Sequence, residues 1–147
     1  MKSVFDKVTR DELTSRINNL DQGSTAQWGK MNVGQMLEHC ARAEECYQGK
    51  TPYKRTFIGY LFGKMALKSM LKDEAPVQRN MPTKPEFIVT GTYDVDNGKE
   101  KWVAFINSYE QYNDPIFVHF FFGPMSKEQL GYFVYKHADH HLRQFNS

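Results

Sequence analysis

What most limits the fold open to this chain is a series of apolar residues recurring every three to four positions, several of them introduced by helix-start signals. Thr9-Arg-Asp-Glu12 has the Ser/Thr-x-x-Glu form of a capping box and precedes Leu13, Ile17 and Leu20. Such a box satisfies amide donors that an α-helix leaves open at its start. The spacing predicts a first helix over residues 10–20. Asp21-Gln-Gly-Ser-Thr25 ends it, and Asn32 opens a second helix with the stripe Val33, Met36, Leu37, Cys40 and Ala43. Gly49 and Pro52 close that helix. Ser126-x-x-Gln129 is a second capping box, ahead of a final helix with Leu130, Phe133, Val134, His137 and His141 on one side.

Between these, residues 57–71 read as a shorter helix with Phe57, Tyr60, Leu61 and Leu67 apolar and Lys64, Lys68 and Lys72 opposite. A lysine row at this spacing fits an anionic membrane surface or the solvated side of a packed helix, and the second reading is preferred. Gly59 and Gly63 form a small-xxx-small pair that permits close packing and carries no further weight. Residues 73–90, with Pro76, Pro82 and Pro85, predict a long irregular connection of the kind that often borders a site. Residues 99–112 resume a helical pattern through Trp102, Phe105, Ile106 and Tyr109, and Asn113-Asp-Pro115 stops it. The aromatic run at 116–122 reads as an extended segment plugging a bundle. The expected fold is all-α: a four-helix bundle with an extra short helix and a long irregular connection, residues 1–147 forming a single domain.

Charge narrows the partners. Nineteen Lys and Arg against seventeen Asp and Glu leave a formal charge of +2, without the basic field that phosphate-backbone binding needs, so nucleic acid is not expected. The first ten residues hold no apolar leader, and no stretch reaches the roughly 18 apolar residues of a membrane span. A cytoplasmic protein without a membrane partner is expected. Cys40 and Cys46, six apart on one helix, project in different directions, and two free thiols suit a reducing compartment.

Three of the five histidines fall within His137-Ala-Asp-His140-His141. Residues four apart on a helix share a face with Cβ atoms about 5–6 Å apart, so His137 and His141 can reach one ion. A third donor must come from another helix, and His39 lies on or beside the apolar stripe of the second. Three neutral imidazoles leave a position for water or substrate, as in catalytic rather than structural zinc sites. Nickel, iron and copper also accept imidazole. The opposing reading is a hydrogen-bonded core histidine at 39 and a solvated cluster at the end of the chain. Glu38, Asp139 and Cys40 each lie about 100° around a helix from a neighbouring histidine, and His119 is read as structural.

Three segments, Trp28-Gly-Lys-Met-Asn-Val-Gly-Gln-Met-Leu-Glu-His39, Phe122-Gly-Pro-Met-Ser126 and Tyr135-Lys-His-Ala-Asp-His-His141-Leu-Arg-Gln144, resemble the DinB/YfiT-like metalloenzyme superfamily, including a branch described only as a domain of unknown function. The likeness spans essentially the whole chain. It implies a four-helix bundle with one metal-binding histidine on the second helix and two on the last, here His39, His137 and His141. The middle histidine of the run, His140, is usually not a ligand in that superfamily, though three-residue spacing would let it substitute.

The resemblance also implies two kinds of function. Members include metal-dependent transferases that use low-molecular-weight thiols such as bacillithiol or mycothiol, and a thiol-dependent isomerase. That implies thiol S-transfer, or hydrolysis, on a small-molecule substrate, with a divalent transition metal (zinc or nickel) and, for transfer, a low-molecular-weight thiol. The alternative is a non-catalytic, stress-related metal-binding or dimeric binding module. The oligomeric state is open between monomer and homodimer.

Overall fold

The computed structural model describes residues 1–51, 53–81 and 83–147; Pro52, read above as part of a helix stop, and Pro82, in the proline-rich connection, lie outside the described residues. Among the described residues the chain is mainly helical, with α1 (Lys7–Asn18), α2 (Val33–Tyr47), α3 (Phe57–Met70), α4 (Val95–Ser108) and α5 (Lys127–Gln144). Strands β1 (Ile116–His119) and β2 (Gly123–Ser126) form one antiparallel hairpin.

The hairpin corrects the all-α expectation. Ile116, Phe117 and Val118 are β-branched or aromatic, the residue types that suit a pleated, half-buried ribbon. Their register pairs Phe117 with Met125 and His119 with Gly123. Three residues close the turn, and His119 Nδ1 accepts from the backbone N–H of Phe121 at 3.1 Å and of Phe122 at 3.2 Å. His119 therefore acts on the turn, in the structural role read for it.

Helix starts follow their capping chemistry with one exception. Asn32 and Gln35 cap α2 reciprocally, and Ser126 and Gln129 do the same for α5. The proposed box at Thr9 is not a cap: α1 begins at Lys7 after Asp6, whose side chain makes no capping bond, and Thr9 is buried inside the first turn. Arg10 explains the shift. Its guanidinium is buried and donates to the carbonyls of Val4 at 3.2 Å and Phe5 at 2.8 Å, which ties the incoming chain to the first turn.

The apolar stripes meet as a core. α2 packs on α4, α4 on α1, α1 on α5, and α5 back on α2. Leu13 and Ile17 of α1, Met36, Leu37 and Cys40 of α2, Trp102 and Ile106 of α4, and Leu130, Val134 and Leu142 of α5 are fully enclosed. Within that core Glu44 accepts from the Tyr109 hydroxyl at 2.6 Å, joining α2 to α4. Its other oxygen is buried without a hydrogen-bond partner among the described residues, as is the nearby Trp102 indole N–H. Burial pushes the Glu44 carboxyl up to about 7, with the Tyr109 hydrogen bond easing the shift.

α3 is built differently. Its buried residues are Gly59, Gly63 and Leu67, whereas Phe57, Tyr60 and Leu61 of the expected stripe are exposed. A Cβ on either glycine would collide with the Phe121 carbonyl oxygen, so the hairpin turn lies directly against the helix backbone. The small-residue pair is thus the packing face. No helix among the described residues is long and apolar enough to cross a membrane.

Candidate metal centre

His39 reaches the interior because it follows Met36 by three residues on the buried side of α2. His137 and His141 stand one turn apart on α5, with ring centroids 4.8 Å apart. The His39 ring lies 4.8 Å from that of His141 and 5.6 Å from that of His137. One nitrogen from each of the three lies within 4.8 Å of the others. A tetrahedral ion with Zn–N bonds of about 2.0–2.1 Å holds its nitrogens about 3.4 Å apart, so the rings must draw in slightly to share one. The three histidines named from sequence are therefore brought together.

Hydrogen bonds orient two of the rings. His39 Nδ1 meets the Phe87 carbonyl at 2.9 Å, and because a carbonyl only accepts, that nitrogen carries the proton. The other nitrogen, Nε2, keeps its lone pair. His141 Nδ1 lies 2.9 Å from Gln144 Oε1, while Gln144 Nε2 donates to the Trp28 carbonyl at 2.8 Å. The Trp28 carbonyl thus fixes which end of the amide faces His141, and His141 likewise keeps Nε2 free. Outer hydrogen bonds of this kind set tautomer and ring direction at histidine metal sites. Gly29 permits the clamp: its φ is +83°, and a Cβ there would come within 2.6 Å of Gln144 Nε2.

The rings are held neutral. Burial lowers His39 below its ordinary value, with the Phe87 bond offsetting part of the effect. Burial, followed by the charges of the neighbouring histidines, takes His137 well below its ordinary range. His141 is lowered well below for the same leading reason, with Gln144 opposing. Neutral imidazole is the form that donates a lone pair to a metal, so protons compete with a cation only in acid. His137 is crowded by Tyr47, at 5.7 Å between rings, and Phe133, at 6.3 Å, yet keeps part of its surface open.

No fourth His, Cys, Asp or Glu joins the cluster among the described residues. Glu38 is held by Arg42 at 2.7 Å and faces Lys101. Asp139 is bound by Arg16 at 2.8 Å and Arg143 at 2.7 Å. His140 lies outside the cluster, half-buried with its ring 5.6 Å from the Trp28 ring. Cys40 is buried against Met36, its thiol pushed well up by burial, and burial raises Cys46 to about 11; neither has the lowered pKa of a reactive cysteine.

Sequence reasoning missed Gln144 and Phe87. Gln144 had a signal, since it follows His141 by three residues on the same helix. Phe87 had none: it arrives on a short 3-10 turn (Pro85–Phe87) of the irregular connection, which contributes a backbone carbonyl rather than a side chain.

A family model described as "Protein of unknown function (DUF1569)" matches residues 5–147. No curated protein and no solved structure matches the chain.

Proposed function

The chain belongs to the DUF1569 family of proteins of unknown function, and from the residues gathered between α2 and α5 we propose a metal-dependent enzyme acting on a small molecule. The observation that carries this reading is the convergence of His39, His137 and His141, one nitrogen of each within 4.8 Å of the others, with no acidic or thiol ligand in the cluster among the described residues. Three imidazoles suit zinc or nickel better than a hard cation that prefers carboxylate oxygens. An ion in such a site supplies Lewis acidity and lowers the pKa of a group that coordinates it, a water or a low-molecular-weight thiol.

The protein's own part is to hold the donors and shape the surroundings. Phe87 and Gln144 keep Nε2 of His39 and His141 turned to accept a cation. Burial keeps the rings unprotonated near neutral pH. Tyr47 and Phe133 give the side of His137 an aromatic wall, which favours an apolar portion of a substrate. The absence of a fourth protein ligand among the described residues supports an open position, and hence an enzyme, over a closed structural site.

The closed circuit of contacts among α1, α2, α4 and α5 supports placing the fold with the DinB/YfiT-like four-helix bundles. On that placement thiol S-transfer and hydrolysis are the reactions to try first. Chelator-treated protein titrated with Zn2+ or Ni2+ in a calorimeter tests the reading: one site per chain is expected in the wild type, and none in His141→Ala. Unchanged binding by His141→Ala would exclude it.

A further inference from the structure

Six large apolar residues of α3, namely Phe57, Ile58, Tyr60, Leu61, Phe62 and Met65, are between 51% and 77% exposed. They form a projecting ridge, because the side of the helix that touches the protein is Gly59, Gly63 and Leu67. An exposed apolar patch of this kind marks an interaction surface. The helix is firmly seated: Thr56 caps it through Gly59 N–H at 3.1 Å, and the Phe121 backbone lies against its glycines.

The charge beside the ridge has one sign. Residues 54–72 contain Lys54, Arg55, Lys64, Lys68 and Lys72 and no Asp or Glu. Lys64, Lys68 and Lys72 line a groove between α3 and α5 whose other walls include Leu67, Leu71 and Tyr132. Among the described residues Lys64 and Lys68 make no ion pair, and Lys72 lies 3.7 Å from Asp73. The lysine row is therefore not the wet side of a helix whose apolar residues are packed away: lysines and apolar residues face outward together.

A second copy of the chain is a poor occupant, because a two-fold contact through this face sets like charges against like. We propose that α3 docks the protein on the anionic surface of a lipid bilayer. The ridge enters the boundary between headgroups and acyl chains, and the long lysine side chains beside it reach back to the lipid phosphates. Tyr60, with Arg55 over its ring at 3.9 Å, places an amphipathic aromatic at the headgroup level.

Sedimentation of the full chain with lipid vesicles tests this. The protein is expected to pellet with an equal mixture of phosphatidylcholine and phosphatidylglycerol at low salt, to remain in solution with phosphatidylcholine alone, and to be released by added salt. A surface lysine contributes about fivefold in binding, so Lys64→Glu, Lys68→Glu and Lys72→Glu combined should weaken it by a hundredfold or more. Leu61→Asp combined with Met65→Asp should do so without touching a lysine. All five positions are exposed, so the helical circular dichroism should not change. Wild type that stays in solution with the mixed vesicles at low salt overturns the proposal. So does a wild-type dimer that Leu61→Asp splits while vesicles leave both forms unbound, since the occupant is then a second copy.

Discussion

Two helices of nearly equal length are treated oppositely by this fold. α2, 15 residues, alternates apolar stripes with polar positions, buries the stripe against α4 and carries His39 inward with it. α3, 14 residues, is apolar on nearly every side yet leaves most of its large residues in water, resting on two glycines and a leucine. Amphipathic contrast, more than total hydrophobicity, decides which face of a helix is covered. Where apolar residues run all the way round, the face is chosen by what can come closest, and here that is a hairpin backbone against glycine.

Four substitutions test the contrast between enclosed and exposed positions. Leu37→Ala, in the fully enclosed part of α2, should remove about 2–5 kcal/mol of stability in urea unfolding; a loss near zero would mean that the α2 stripe is not the core. Glu44→Gln comes next and depends on pH. The folded carboxyl sits at about 7 against 4.5 when unconstrained, so the folded state binds the extra proton between those values. Stability from this group is full below about 4.5 and is lost as pH rises through about 7, by up to about 3 kcal/mol. The three depressed histidines slope the other way, giving stability above their ordinary value that is lost as pH falls. The difference between wild type and Glu44→Gln across pH 5 to 8 isolates the carboxyl; parallel curves would show that it is charged in the folded state.

A smaller effect belongs to Gln144→Ala, which removes the partner of His141 without removing a metal donor. Metal affinity should fall about 10- to 100-fold in competition with a chromophoric chelator, with the fold retained. An unchanged affinity would show that the Trp28–Gln144–His141 chain does not orient the ring. Smallest of all, Leu61→Ala on α3 should change urea stability by no more than about 0.5 kcal/mol, because its side chain contributes little to the folded core. A loss as large as that of Leu37→Ala would show that the α3 ridge is covered in solution.

The difference between the two helices also explains what the sequence made legible. His137 and His141 could be placed because four-residue spacing on a helix is geometry, whereas His39 rests mainly on the family resemblance, with its inward neighbours Met36, Leu37 and Cys40 as physical support. Asn32 as a cap residue and the capping box at Ser126 marked helix starts because their polar groups have no competing role. At Thr9 the same pattern misled, since the buried arginine next to it bonds backward to the carbonyls of Val4 and Phe5. The hairpin hid within an aromatic run that suits strand and core alike. On α3 the signal lay in Gly59, Gly63 and Leu67 at four-residue intervals, a stripe with too little side chain to register as apolar.

Elemental analysis of untagged protein, purified without affinity metals and compared with His39→Ala and His140→Ala, should find about one transition metal per chain in the wild type and in His140→Ala, and none at stoichiometric level in His39→Ala. Full occupancy in His39→Ala, or a folded wild type that stays empty even when offered zinc and nickel, would contradict the three-histidine centre.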